Sequence, residues 1–317
     1  MSKQYIFGPV SSRRLGRSLG VDLLRVRRCT LDCIYCEAGA TEELTCSRSQ
    51  GADPEKVKAE LAEVLKDSPQ LDYITFSGLG EPTLHPAFGG LARYIKETYP
   101  QYKICLLTNG TLLNDPEVRS ALQYVDLAMP NFDASSDHEL QTINRPAAGI
   151  TVETLAEGIR LAAAEYPGKL VLELFVVPGV NDSEASIERF VQYVKSFKDL
   201  KSVQLNTLDR PGVVDWIKPA PPETLKRFIS ALEKILPVEA VGRYRHRSGG
   251  EAVPAVTDGF ALAMIDFLKD RAMSAEEMSL QLNVDAGKVQ QIAEDLVKNG
   301  CLSAEKCGQK TLYRTIL

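Results

Sequence analysis

The sequence predicts an α/β protein, built as a partial (β/α)6 barrel with a small C-terminal winged-helix-like domain. Between residues 20 and 207, short apolar runs alternate with longer amphipathic stretches, which is typical of a parallel sheet covered by helices. The chain has 317 residues, enough for about two domains. Its composition, 44% hydrophobic and 25% charged, excludes collagen-like and wholly disordered proteins.

The strands are predicted from short runs rich in Val, Ile and Leu, because strands that are covered on both faces have continuous apolar runs. The six predicted strands are residues 20–26, 73–77, 104–108, 125–129, 170–176 and 203–206. A closed barrel of this kind needs eight strand–helix units. We therefore expect a barrel that stays open on one side, with its chemistry at the carboxyl ends of the strands.

The helices are predicted from apolar residues that recur every three to four positions. The predicted barrel helices are residues 53–65, 151–164, 183–196 and 222–236. The first of them begins with Asp53 as a cap and Pro54 in the first turn, which is a favourable helix start.

Two segments rich in Pro or Gly, residues 208–222 and 241–256, are predicted to be irregular. They suggest a barrel domain over residues 1–240, a linker over 241–256 and a second domain over 257–317. In the second domain, three predicted helices precede two predicted strands, an order typical of winged-helix domains. These elements are residues 259–269, 275–282, 287–298, 301–305 and 311–316.

The charge is unevenly distributed. The first 28 residues carry seven basic side chains against Asp22, although the whole chain has a formal charge of −5. This balance disfavours general nucleic-acid binding but allows one local anion site, for which Arg13, Arg14 and Arg17 are candidates. The alternative is that these arginines are ordinary solvated surface residues. The second domain is slightly acidic, which disfavours DNA binding. Neither a membrane span nor a secretory leader is predicted, and we expect a cytoplasmic protein.

The strongest chemical signal is a C-x3-C-x2-C motif formed by Cys29, Cys33 and Cys36, directly after the first predicted strand. Three thiolates this close can surround one metal ion or one cluster. A zinc site normally has a fourth ligand, and none of the three histidines has the spacing to supply it. Three cysteines on a [4Fe-4S] cluster leave one iron open to another ligand. Structural zinc is the alternative.

This motif, with Tyr35 before the last cysteine, resembles the CxxxCxΦC signature of radical S-adenosylmethionine (radical SAM) enzymes. The resemblance extends from residue 5 to about residue 207. It implies a partial barrel of the radical SAM type, a [4Fe-4S] cluster on the three cysteines and S-adenosylmethionine as the second cofactor. Residues 5–22 further resemble the wyosine-synthase-like group of Fe-S oxidoreductases. That group's namesakes carry additional cysteines near the N-terminus, and this chain has none before Cys29.

The same resemblance implies which residues contact S-adenosylmethionine, and it names no catalytic acid or base. Residues 77–83 are similar to the family motif at the methionyl amino group, which gives that position to Gly78, Gly80 and Glu81. The other implied cofactor-binding residues are Tyr35 in the cysteine motif, Asn109 at the end of the third strand, Asn131 and Asp133 near the ribose, Arg145 near the methionyl carboxylate, Val177 near the adenine, and Asn206 at the end of the sixth strand.

The function predicted from this resemblance is reductive cleavage of S-adenosylmethionine to a 5′-deoxyadenosyl radical, which abstracts a hydrogen from a substrate. Reduced ferredoxin or flavodoxin is the implied electron donor. The substrate stays open between a peptide or protein, a tRNA base and a small molecule. Modification of a tRNA purine is one alternative function. A metal-sensing winged-helix regulator and a scaffold protein are the non-enzymatic alternatives.

Overall fold

The computed structural model describes most of the chain. The described residues are 5–12, 14–49, 51–209, 212–241, 246–248, 264–265, 268, 272–282, 284–298, 301–307 and 310–316. Within them, the strands of the first unit are β1 (Ile6–Ser12), β2 (Gly16–Val21), β3 (Arg28–Cys29), β4 (Glu43–Leu44), β5 (Tyr73–Phe76), β6 (Lys103–Thr108), β7 (Leu127–Pro130), β8 (Val171–Val176), β9 (Ser202–Thr207), β10 (Val238–Ala240) and β11 (His246–Arg247). Its α-helices are α1 (Pro54–Leu65), α2 (Phe88–Thr98), α3 (Pro116–Ala121), α4 (Asp137–Ile143), α5 (Val152–Glu165), α6 (Glu184–Ser196) and α7 (Pro222–Leu232).

The strands form an open barrel, as the sequence predicts. One sheet has the order β1-β2-β5-β6-β7 and the other β11-β10-β9-β8. Single parallel bridges from Ala128 to Leu170 and from Asn131 to Glu173 join β7 to β8. β2, β5, β6 and β7 are parallel to one another, as are β8, β9 and β10. The short strand β10 is a seventh parallel strand that the sequence analysis did not predict.

The first predicted strand, residues 20–26, was misplaced, because β2 begins at Gly16 and ends at Val21. β2 ends at Val21, because the Asp22 carboxylate accepts hydrogen bonds from the backbone N–H of Leu24 at 3.0 Å and of Arg25 at 3.3 Å. This turn leaves Arg25 with a φ of 62°, in the left-handed region that ends a strand. The chain then continues through a loop to β3. Cys29 therefore follows this loop and does not come directly after the first barrel strand.

The main core lies between the sheets and the helices. Its largest fully buried side chains include Phe76, Phe88, Phe132, Phe190 and Phe228. The ring of Phe132 lies 6.0 Å from that of Phe190 in an edge-to-face contact. Aromatic pairs with this geometry stabilise a core beyond the burial of their area. Because Phe132 follows β7 directly, this packing fixes the carboxyl end of the strand from which Asn131 and Asp133 come.

Among its described residues, the C-terminal unit has two complete helices and a three-stranded antiparallel sheet. Its elements are β12 (Met273–Ser274), α8 (Ala275–Leu282), α9 (Ala286–Lys298), β13 (Leu302–Cys307) and β14 (Lys310–Thr315). They enclose a separate apolar cluster that includes Met278, Val289 and Leu296. The predicted helices 275–282 and 287–298 and both predicted strands are confirmed. Most of the predicted helix 259–269 and of the linker 241–256 lies outside the described residues, so the winged-helix assignment stays a prediction.

Each helix of the described residues is too short or too polar to span a bilayer.

Candidate active site

A cavity of about 310 Å³ lies at the carboxyl ends of the barrel strands. It brings together nine of the residues singled out from the sequence: Cys29, Tyr35, Cys36, Gly78, Gly80, Glu81, Asn109, Asn131 and Asn206. Apolar side chains such as Leu107, Met129 and Phe175 line it as well. The predicted position of the site, at the carboxyl edge of the sheet, agrees with this geometry.

The cysteine loop is attached to the end of α4. The backbone N–H of Asp32 donates to the carbonyl of Asn144 at 2.8 Å, and that of Ile34 donates to Ile143 at 2.9 Å. Ile34 is fully buried, so it anchors the loop between Cys33 and Cys36. Cys33 itself lies beside the cavity lining. Burial raises the pKa of the Cys33 thiol well above its usual value, so metal binding must displace a proton from it.

Two asparagine side chains donate hydrogen bonds to the cysteine sulfurs. The Asn109 Nδ2 lies 3.3 Å from the Cys29 Sγ, and the Asn144 Nδ2 lies 3.3 Å from the Cys33 Sγ. Three thiols with amide donors on two of them fit an iron–sulfur cluster, whose properties depend on hydrogen bonds to its sulfurs. Within the described ranges, no three His, Cys, Asp or Glu side chains are grouped to hold a single metal ion.

Asn144 was missed as a site residue by the sequence analysis. It is 2% exposed, and its Nδ2 also donates to the Asp133 carboxylate at 2.9 Å. Its Oδ1 is buried and has no hydrogen-bond partner in the structure. No sequence signal links it to Cys33, because the two residues are 111 positions apart and meet only in the folded barrel.

Glu81 is buried at the end of the loop that follows β5. Its Oε1 accepts hydrogen bonds from the Thr83 backbone N–H at 3.1 Å and from the hydroxyls of Thr83 and Thr108 at 2.6 and 2.7 Å. Its Oε2 accepts one, from the Asn109 backbone N–H at 2.7 Å. Burial raises the pKa of Glu81, and these donors oppose that effect. Oε2 therefore keeps acceptor capacity toward the cavity that Glu81 lines.

The two glycines before Glu81 are required by close backbone packing. A Cβ on Gly80 would lie 1.9 Å from the carbonyl oxygen of Arg28, and one on Gly78 would lie 2.3 Å from the Asp22 Cγ. Gly78 also has a φ of 145°, which side chains rarely adopt. The Gly78–Glu81 loop can therefore lie directly against the segment that leads to Cys29.

Asp133 organises the opposite side of the site. Its carboxylate accepts hydrogen bonds from the Tyr35 hydroxyl, from the Asn144 amide and from the Phe175 backbone N–H. The rings of Tyr35 and Phe175 stack with centroids 3.8 Å apart. Burial raises the pKa of Asp133 to about 6, although these donors favour its charged form. Asp133 is thus a buried residue that holds the cysteine loop by hydrogen bonds. On this side, Tyr35 and Phe175 line the cavity in front of it.

Besides Cys33 and Asp133, two residues of the predicted set, Arg145 and Val177, lie outside the cavity lining. Arg145 is 42% exposed at its side chain and pairs with Asp32 at 3.5 Å. Val177 is buried among apolar side chains beside Ile34 and Ile143. Of the three candidate arginines, Arg13 lies outside the described residues, and Arg14 reaches into the cavity and pairs with Glu173. Glu173 was not singled out from the sequence, since a single acidic residue inside a strand gives no signal of its own.

Comparison with known proteins identifies the superfamily of this chain. Residues 23–191 match the family model of the Radical SAM superfamily, which is more than half of the chain. A UPF0026 protein of Helicobacter pylori is 30% identical over 97% of this chain and 96% of its own length. A Brachyspira hyodysenteriae protein named GTPase Obg is 29% identical over 95% of this chain, which spans only 43% of that longer protein.

A solved structure shares the fold. The radical SAM methyltransferase from Sphaerobacter thermophilus superposes with a TM-score of 0.54 at 18% identity, over 71% of this chain and 66% of that one. The expected cofactors are therefore those of the superfamily, a [4Fe-4S] cluster and S-adenosylmethionine, and such enzymes also need an electron donor and a substrate. The three-cysteine loop at the carboxyl edge of an open parallel barrel and the full-length match make this chain a member of the radical SAM superfamily, in its UPF0026 family.

Proposed function

We propose that this protein holds a [4Fe-4S] cluster on Cys29, Cys33 and Cys36 and uses it to cleave S-adenosylmethionine reductively for hydrogen abstraction from a substrate. When bound, the two cofactors supply an organic radical that takes the hydrogen. The observation that carries this proposal is the pair of amide donors at 3.3 Å from two of the three sulfurs, at the rim of the cavity that contains Glu81.

Glu81 is proposed to bind the ammonium group of the methionyl end of S-adenosylmethionine. Three of its four protein hydrogen bonds go to Oε1, which leaves Oε2 with one partner and with acceptor capacity for a ligand. The backbone N–H of Asn109 orients this carboxylate, and the side-chain amide of Asn109 donates a hydrogen bond to the Cys29 sulfur. One residue thus couples the amino-group site to the cluster site.

The opposite wall is proposed to hold the nucleoside end. Asn131 and Asn206 carry amides suited to ribose hydroxyls, and Tyr35 offers a ring fixed by Asp133. Apolar side chains beside them exclude water, which preserves a reactive intermediate. Arg145 and Val177 are proposed as more distant contacts to the carboxylate and the adenine, respectively. Asp133 positions Tyr35 and is not itself proposed as an acid or base.

Reduced ferredoxin or flavodoxin is the proposed electron donor, and the cytoplasm, where thiols stay reduced, is the proposed location. A regulator that binds DNA through the C-terminal unit is disfavoured by the acidic balance of that unit.

The proposal is tested by replacing each cysteine of the motif with Ala and reconstituting the protein anaerobically. We expect loss of iron, sulfide and visible absorption, and loss of 5′-deoxyadenosine formation from S-adenosylmethionine. The matched control is Cys46→Ala, because Cys46 is an exposed free thiol near the same loop. A Cys33→Ala variant that keeps full iron content and cleavage would contradict the proposal.

A further inference from the structure

A layer of side chains inside the barrel, one step below the rim, contains two polar residues, Glu173 and Gln204, that the proposed cofactor site does not use. Its inward-facing residues are Leu107, Met129, Glu173 and Gln204, which line two adjoining cavities. In closed barrels such a layer is filled mostly by Val, Ile and Leu. Burying Glu and Gln there costs free energy unless their polar atoms are satisfied. A ligand that uses these groups would explain why they occupy this layer.

Arg14 and Glu173 form an ion pair in this layer. Arg14 comes from the turn between β1 and β2, 159 positions before Glu173. It lines both the upper cavity and a second cavity of about 480 Å³ below it. Glu173 is 6% exposed, and its Oε1 also accepts a hydrogen bond from the Asn206 Nδ2 at 3.2 Å. The pair thus lies at the boundary between the two cavities.

Both partners keep unused hydrogen-bonding capacity. The guanidinium of Arg14 donates through one nitrogen to Glu173, and it has no other hydrogen-bond partner among the described residues. A guanidinium has five N–H donors, so most of this fork is open to a ligand. Each oxygen of Glu173 holds a single partner, which leaves a lone pair on each.

Gln204 adds a third acceptor beside this pair. It is the register partner of Glu173 on the neighbouring strand, so the two side chains are adjacent. Gln204 is 3% exposed, and its Nε2 donates to Glu239 at 3.0 Å. Its Oε1 is buried without any partner in the structure, although it belongs to a side chain that lines the lower cavity. A buried acceptor of this kind needs a donor from water or from a ligand.

We infer that this layer binds the head group of an α-amino acid, which is thereby the substrate class; the inference rests on the proposed function. The open guanidinium fork of Arg14 matches a carboxylate. The acceptors on Glu173 and Gln204 match the three N–H donors of an ammonium group. A phosphate group is excluded from this position, because its charge would lie against the Glu173 carboxylate.

The test uses the cluster-loaded protein saturated with S-adenosylmethionine, without reductant. Saturation-transfer NMR is recorded with each standard L-amino acid except methionine, with the matching amines and acids that lack one charged group, and with inorganic phosphate. We expect at least one amino acid to bind with a dissociation constant below about 1 mM. Its two single-charge analogues should bind at least about tenfold more weakly, since each loses a charge-assisted contact. Phosphate should not bind.

Variants locate the site. Glu173→Gln and Arg14→Lys should each lower the affinity for the amino acid at least about tenfold. The first variant loses the carboxylate charge that faces the ammonium group, and the second keeps the positive charge but loses the planar guanidinium that faces the carboxylate. The matched control is Glu97→Gln, which removes an exposed Arg–Glu pair on α2. If no amino acid binds in the wild-type protein, or if the single-charge analogues bind equally well, the inference is wrong. That failure is distinct from failure of the proposed function, which would appear as missing iron or missing S-adenosylmethionine binding.

Discussion

Glu81→Gln tests whether one buried carboxylate both stabilises the barrel rim and binds S-adenosylmethionine. The substitution conserves shape and replaces one carboxylate oxygen by an NH2 group. The orientation of least cost keeps an oxygen at the Oε1 position, which accepts three hydrogen bonds. The NH2 group then faces the Asn109 backbone N–H, whose 2.7 Å hydrogen bond is lost.

One lost hydrogen bond to a charged group costs about 1.5–3 kcal/mol. Burial raises the pKa of Glu81, because the charged carboxylate is less stable in the protein than in water. Removing the charge therefore offsets part of the stability that is lost with the hydrogen bond. We therefore expect the free energy of unfolding of the apoprotein to fall by about 1.5 kcal/mol, at the lower end of that range. The affinity for S-adenosylmethionine should fall roughly ten- to hundredfold, because the ammonium loses its charged partner.

Urea denaturation followed by circular dichroism measures the first effect, and isothermal titration of the reconstituted protein measures the second. Glu139→Gln is a matched control, because Glu139 is a second buried carboxylate that accepts four hydrogen bonds, outside the cavity. It should lose similar stability and keep its affinity for S-adenosylmethionine. An unchanged affinity in Glu81→Gln would refute the ligand role, and an unchanged stability would refute the hydrogen-bond argument.

Three further predictions concern the residues that hold the cysteine loop. Asn144→Leu removes the hydrogen bond to the Cys33 sulfur, which favours the reduced and more negative cluster, so the reduction potential of the cluster should fall. The expected fall is about 40 mV, because a hydrogen bond contributes about 1 kcal/mol and about 1.4 kcal/mol corresponds to about 59 mV for one electron. An electrochemical titration monitored by electron paramagnetic resonance, with Asn114→Leu as the control, would show no difference if the contact were irrelevant. Phe132→Ala should lower the free energy of unfolding by about 3–5 kcal/mol, because it removes a fully buried ring from the core, and a urea midpoint equal to that of the wild type would contradict this. Burial raises the pKa of Asp133 to about 6, so the folded apoprotein binds this proton more tightly than the unfolded chain does. The stability of the wild type relative to Asp133→Asn should therefore decrease as the pH rises from about 4 to about 6; a difference that stays constant or increases over this range in urea titrations would disprove the assignment.

The barrel strands could be predicted because their apolar runs reflect burial on both faces, a property that each run shows by itself. The errors have two causes: a polar side chain that ends a strand, and a strand that is too short to show a pattern. Asp22 ends β2 by accepting two backbone hydrogen bonds, so the strand stops before Val26 although the apolar pattern continues. β10 has only three residues, too few to show any periodicity.

The site was predictable to the extent that its residues lie in local motifs. The three cysteines and the Gly78–Glu81 segment are short, ordered patterns at strand ends, and the structure brings both to one cavity. Asn144 and Glu173 belong to no such pattern. Their roles depend on partners more than 100 positions away, which only the folded barrel brings into contact.

The cysteine loop takes its position from the barrel and not from a core of its own. Its hydrophobic anchor, Ile34, packs against residues at the ends of α4 and β8, and two of its backbone N–H groups bind carbonyls at the end of α4. Asp133 then connects the loop to the core, because Phe132 fixes the end of β7 while the Asp133 carboxylate binds both Tyr35 and Asn144. A change in the packing of Phe132 should therefore reach the Cys33 sulfur through only two hydrogen-bonded side chains. On this argument, a conservative core variant such as Phe132→Leu should shift the cluster's reduction potential in the same direction as Asn144→Leu, whereas a Phe88→Leu variant, in the core near β5, should lose stability without that shift.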